Sequence, residues 1–182
     1  MRNYWQKNFQ ISFDFRSFYP NGLIFLAPGM KEKQKHYLAL ILKDGHLLLI
    51  VRGRRREELP LHAKLNDGEW HHVALNCQDR KVTMSVEIGR TDQKTSAQMK
   101  IPKKIAASNL VFVGGLPENP PKMPAELLMK LEPFKGCLRR FAIANSTQDL
   151  AKPGKHLHVG QCFPIVERGS FFPGDAYAVY SK

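Results

Sequence analysis

The chain is poor in cysteine, in acidic residues and in long hydrophobic runs. Its 182 residues include 3 Cys, too few for a disulfide-dense scaffold. They allow one bridge and one leftover thiol, which suits a secreted domain with a proper core. No apolar run approaches the ~18–20 residues that cross a bilayer, so no transmembrane helix is expected. The opening Met1-Arg2-Asn3-Tyr4-Trp5-Gln6-Lys7 lacks the apolar stretch of a signal peptide. The sequence therefore reads either as cytosolic or as a piece of a longer secreted chain. Asp and Glu number 16 against 28 Lys and Arg, a formal charge of +12. Such an excess points to a polyanionic partner: nucleic acid, an anionic membrane or a sulfated glycan. Charge alone does not choose among them.

Apolar residues make up 43% of the chain and aromatics 10%, enough to bury a core and to exclude global disorder. The length suits one domain, or one domain plus a fragment. Phe9, Ile11, Phe13 and Phe15 alternate with Gln10, Ser12, Asp14 and Arg16, the period-2 pattern of a half-buried strand. Further strands are expected at 23–27, 36–43, 46–52, 61–65, 70–77, 82–88, 110–113 and 136–143. Residues 53–60 read as a polar stretch, and 125–131 as one helical turn or a strand. Asp44-Gly45 between two apolar runs marks a hairpin, because a type I′ turn needs positive φ at both central residues. Many short strands, turns every 8–12 residues and no sustained helical periodicity predict an all-β antiparallel sandwich.

Four segments in order resemble a laminin G-like domain over roughly residues 4–162. They are Phe13-Asp14-Phe15-Arg16-Ser17 with Asn21-Gly22-Leu23-Ile24-Phe25; Asn66-Asp67-Gly68-Glu69-Trp70-His71-His72-Val73; Phe112-Val113-Gly114-Gly115-Leu116-Pro117; and Phe134-Lys135-Gly136-Cys137-Leu138-Arg139. The likeness is greatest to modules from the C-terminal globular region of laminin α chains. It implies a jelly-roll sandwich, concanavalin-like in architecture, lacking here the strand with which the family module begins. The junction Val159-Gly160-Gln161-Cys162 followed by Gly169-Ser170-Phe171-Phe172 resembles the passage between consecutive modules. Residues 1–162 are thus expected to form a laminin G-like domain, and 163–182 to start a following one. An ordinary C-terminal strand is the alternative for that tail.

The resemblance further implies a non-enzymatic adhesion module of the extracellular matrix and basement membrane. Its implied partners are heparan sulfate or other sulfated glycans, integrin, or the glycans of dystroglycan, without membrane insertion. The family's two acidic calcium ligands align with His36 and Asn109. Imidazole is a poor ligand for a hard cation and a carboxamide carries no charge, so calcium binding and other cofactors are not expected. Cys137 and Cys162 fall where the family has its closing disulfide, and Cys77 is expected to be a buried, inert thiol. Asn145-Ser146-Thr147 is an N-glycosylation sequon.

A candidate site follows from register. If Asp44-Gly45 is a two-residue turn, Lys43 pairs with His46 and Lys35 falls opposite Arg54. That register gathers Lys31, Lys33 and Lys35 beside Arg52, Arg54, Arg55 and Arg56 at one end of the sandwich, with Arg80 and Lys81 also brought there by up-and-down connectivity. Arginine forks bind sulfate and carboxylate bidentately, so this rim is a candidate glycan site; a merely solvated charged edge is the alternative. Catalysis finds little support: Glu87 has no facing carboxylate in the strand pattern, and no segment reads as a nucleophile elbow. His71 and His72 read as structural and Trp70 as core. Two other functions stay open. One is a sandwich holding a small apolar ligand between its sheets. The other is a basic polyanion or nucleic-acid binder, although zinc-finger spacings, RNP-type aromatics and a basic helix are lacking.

Overall fold

The computed structural model describes residues 8–30, 35–91, 93–102, 108, 110–120, 122–128, 131–150, 155–162 and 170–180. In chain order its strands are β1 (Phe9–Arg16), β2 (Gly22–Pro28), β3 (Tyr37–Lys43), β4 (His46–Arg52), β5 (Arg56–Leu61), β6 (His71–Gln78), β7 (Lys81–Ile88), β8 (Gln93–Lys100) and β9 (Val111–Val113). A four-residue helix, α1 (Ala125–Leu128), follows. Then come β10 (Lys135–Ile143), β11 (Ser146–Thr147), β12 (Lys155–Leu157), β13 (Gly160–Gln161), β14 (Ser170–Pro173) and β15 (Tyr177–Tyr180).

The strands form two antiparallel sheets. One runs β13-β14-β10-β1-β6-β7-β8, with β11 on β10; the other runs β12-β15-β9-β2-β3-β4-β5. The alternation predicted for β1 is realised: Phe9, Ile11, Phe13 and Phe15 face inward and are buried. Phe13, Phe15, Phe25, Phe134, Phe141 and Phe172 are fully buried, and edge-to-face contacts join Phe15 to Phe134 and Phe134 to Phe172. Each such ring contributes roughly 2–3 kcal/mol of transfer free energy. On the outer face of the second sheet, Leu23, Leu26, Tyr37, Ala39, Leu48 and Ile50 form a second apolar layer under Leu127 of α1.

The hairpin register is as the turn chemistry demands. Asp44 and Gly45 take φ of 52° and 81°, and the ladder pairs Lys43 with His46 and Tyr37 with Arg52. Two segments differ from expectation. The polar stretch 53–60 is mostly strand β5, which ends at Leu61 where a strand was expected to begin. Its Leu59 and Leu61 are buried while Arg56, Glu58 and Pro60 face outward, so the charges are the solvent half of a period-2 pattern. β8 carried no strong apolar signal. It is an edge strand whose inward positions are the modest Thr95, Ala97 and Met99, and whose exposed lysines Lys94 and Lys100 guard the sheet edge.

The described part of the tail lies within both sheets. β14 pairs with β10 and β13, and β15 pairs with β9 and β12. Phe172, Ala176 and Ala178 are buried there, and the bare Cα of Gly114 gives Phe172 its room, since a Cβ would lie 2.0 Å from that ring.

Candidate functional site

Register and loop hydrogen bonds determine which segments share an end. Leu65 N–H donates to Gly45 O and Gly68 N–H to Ser17 O, so β6 starts at the end that carries the Asp44-Gly45 turn. Its far end, and the Asp79-Arg80 turn after it, therefore lie at the opposite end of the sandwich. There Tyr37 pairs with both Pro28 and Arg52. The cations Lys35, Arg54, Arg55, Arg80, Lys81 and Lys100 belong to this end, with Lys81 directly across from Lys100. Arg54, Arg55, Lys35, Lys81 and Lys100 are exposed and Arg80 is half-buried.

The predicted rim is thus partly regrouped. The β3–β4 ladder stops at Tyr37 and Arg52, because Gly53 N–H bonds to Arg55 O (3.0 Å) and turns the chain. Lys35, two residues before β3, lies beyond the end of the ladder and is not paired with Arg54 in it. Arg52 and Arg56 face each other across β4 and β5 on the outer sheet face, half-buried, with Arg56 paired to Glu58 at 2.5 Å. They sit below the tip formed by Arg54 and Arg55. Lys31 and Lys33 lie outside the described residues, as does Asn109. His36 is half-buried at the foot of β3.

Cys137 and Cys162 form a disulfide with Cα atoms 5.9 Å apart, stapling β10 to the segment after β13. Closing that loop stabilises the fold by about 3 kcal/mol in the chain-entropy picture. Cys77 is buried and stands outside the disulfide. Burial pushes its pKa up and the Asp79 carboxylate adds to that, against a hydrogen bond from the Arg80 backbone. Asn145 is exposed in the Ala144-Asn145 turn between β10 and β11, at φ 62°.

A second polar constellation was not foreseen. Asp14, only 3% exposed, lies on the outer face of the first sheet. Arg139 Nε donates to its Oδ2 (2.9 Å), His72 Nδ1 meets its Oδ1 (2.7 Å), and Arg140 Nη1 stands 3.4 Å from Oδ2. Trp70, expected in the core, is half-buried instead, with the Arg139 guanidinium 4.1 Å from its ring centroid and that of Arg16 at 5.0 Å. Two cations on one indole hold it at the surface. His71 is the core histidine, its Nε2 2.8 Å from Asp67 Oδ1. The signals available in sequence were Asp14 inside an otherwise aromatic strand and, separately, the adjacent Arg139 and Arg140.

Comparison with known proteins agrees with this architecture. Residues 15–146 match the family model described as Laminin G domain. The chain is 28% identical over 175 residues to a laminin subunit alpha of Drosophila melanogaster, covering 92% of this chain but only 5% of that protein. Domains LG4-5 of the mouse laminin alpha1 chain superpose with a TM-score of 0.70 at 22% identity, over 85% of this chain and 40% of that one. The LG1-3 region of the laminin alpha2 chain superposes at 0.68 and 19% identity, over 79% and 28%. At these identities the two structures speak for the fold, and the family match covers most of the sequence: the chain belongs to the laminin G domain family.

Proposed function

We propose that the chain is a non-catalytic adhesion module of the extracellular matrix, secreted as part of a basement-membrane protein, which binds sulfated or acidic glycans through its basic rim. The carrying observation is the gathering of Lys35, Arg54, Arg55, Arg80, Lys81 and Lys100 at one end of the sandwich. A dense polyanion displaces counterions when it meets such a rim, which favours binding at low salt. Heparan sulfate and the acidic glycans of dystroglycan fit this chemistry, with integrin as a further candidate receptor. His36 and Asn109 make poor calcium positions, so the rim is read as working through its own cations. The packed aromatic interior weighs against a small apolar ligand between the sheets, and the absence of a groove-reading helix among the described residues weighs against nucleic acid. Asn145 is offered as a glycan acceptor because its sequon lies on an exposed turn.

The test is heparin affinity chromatography of the Lys35→Ala, Arg54→Ala, Arg55→Ala triple variant. It should elute at markedly lower salt than the parent and melt at nearly the same temperature, since exposed charges add little to stability. Elution at the parental salt concentration would sink the reading of this rim as the glycan site.

A further inference from the structure

Five residues form one row across five strands of the first sheet. Register places Arg139 opposite Asp14, Asp14 opposite His72, His72 opposite Glu87, and Glu87 opposite Lys94. Opposite charges meet at both ends of the row: Arg139 Nε lies 2.9 Å from Asp14 Oδ2, and Lys94 Nζ reaches Glu87 Oε1 at 3.2 Å. Opposite-charge cross-strand pairs stabilise a sheet, so such a row has a structural use of its own.

Two features go beyond that use. The first is a β-bulge. Between Ser12 and Asp14, β1 advances two residues while β10 advances from Ala142 to Arg139. The extra residue puts Arg140 at φ 52°, a left-handed conformation disfavoured for a residue with a Cβ. The bulge lets Arg139 and Arg140 both face outward while Leu138 and Phe141 remain fully buried. A regular strand would have sent Arg140 into the core. Bulges of this kind re-aim side chains next to functional sites. The second feature is space. Asp14, Trp70, His72, Glu87, Lys94, Arg139 and Arg140 line an open cleft of about 610 Å³, within the range of small-ligand sites. The Arg140, Lys94 and Glu87 side chains are 73%, 60% and 53% exposed in it.

We propose that this cleft binds a single acidic sugar residue, one carboxylate on a hydroxyl-rich ring. The lining holds Lys94, Arg139 and Arg140 against the carboxylates Asp14 and Glu87, one Lys or Arg in excess. That balance matches a singly charged ligand. A densely sulfated chain would meet two carboxylates in the cleft and favours the rim instead. Arg140 offers the planar fork that takes a carboxylate bidentately, Glu87 accepts from sugar hydroxyls, and the half-buried Trp70 stands in the lining, its ring against the Arg139 guanidinium. Asp14 is the positioning residue: almost buried, it orients Arg139 and the His72 ring from beneath. The cleft is separated from the rim, since Asp14 pairs at the His72 end of β6 and the Asp79-Arg80 turn follows the other end. Six residues of strand from His72 to Gln78 span roughly 20 Å.

The test uses a sulfate-free hyaluronan tetrasaccharide, which carries glucuronate, against a neutral chitin tetrasaccharide, followed through the Trp70 indole resonance with Trp5→Phe fixing its assignment. The acidic oligosaccharide should saturate with a Kd of about 1 mM, the neutral one and the Arg140→Ala variant each about tenfold weaker. Binding by the rim triple variant should be unchanged, so failure here and failure of the heparin experiment are separable. Arg140→Ala must melt like the parent for its loss of binding to count, and Glu87→Gln gives a second variant that leaves the bulge intact. An unperturbed Trp70 indole at about 20 mM glycan, equal response to both sugars, or full binding by both variants would overturn the proposal and leave the row a structural ladder.

Discussion

Asp67 shows how one side chain couples a turn to the core. Partial burial pushes its carboxyl up, but the Glu69 N–H and the His71 ring outweigh this and hold it below its ordinary value of 3.8. A carboxyl with a depressed pKa stabilises the fold above its unfolded value and loses that contribution as pH falls through the folded one. Acid unfolding is therefore expected to draw on Asp67 below about pH 4. In melting curves from pH 2 to 7, Asp67→Asn should lower stability at neutral pH and flatten the acid limb. A parallel downward shift at every pH would show that the ionised form has no special role. Cys77 behaves as a small hydrophobe at 2% exposure.

At the scale of elements, turns and bulges place the charges. Gly45, at φ 81°, lies where an added Cβ would be 2.2 Å from Asn66 Oδ1. Gly45→Ala should cost about 1–2 kcal/mol from the left-handed backbone alone, and more once Asn66 is displaced. Urea unfolding measures it; an unchanged midpoint would mean that the turn relaxes freely and does not hold the register. This hairpin was readable in sequence because Asp-Gly between apolar runs leaves few other geometries. β5 and β8 were not, because propensity scores a polar residue the same whether it is in a loop or on the solvent side of a strand. The sharp turn at Gly53–Arg55 was equally hidden, and it moves Arg52 and Arg56 away from the tip occupied by Arg54 and Arg55.

For the whole molecule, the two ends and the outer face of the first sheet have different chemistries. The rim carries unbalanced positive charge and the cleft a nearly balanced row, so the two should respond differently to salt. Calcium belongs to this scale too, because a rim cation stabilises by binding the native state alone. If His36 and Asn109 stand where the family has acidic ligands, as the resemblance implies, millimolar calcium should leave the melting temperature unchanged. A rise of several degrees, roughly the effect of 1 kcal/mol or more on a domain of this size, would show that other oxygens complete a site. The tail also acts at this scale: β14 and β15 supply a strand to each sheet and bury Phe172, Ala176 and Ala178. Sequence likeness to a module start and a place inside these sheets are compatible properties of the same residues.

The sequence by itself determined the layered all-β fold, the Asp44-Gly45 register and the net positive charge. These rest on local rules: alternation chooses the buried face, a two-residue turn sets the pairing, and charge is a sum over residues. Resemblance to the family supplied the Cys137–Cys162 pairing, which composition alone leaves open. Only the tertiary structure decided that Arg139 and Arg140 share a face, that Trp70 is half-buried against guanidinium groups, and that Asp14 stands in a row with residues from four other strands. Those facts depend on an inserted residue in one strand and on which strands are neighbours. Both are set by contacts between segments as far apart as positions 14 and 139, which no local pattern encodes.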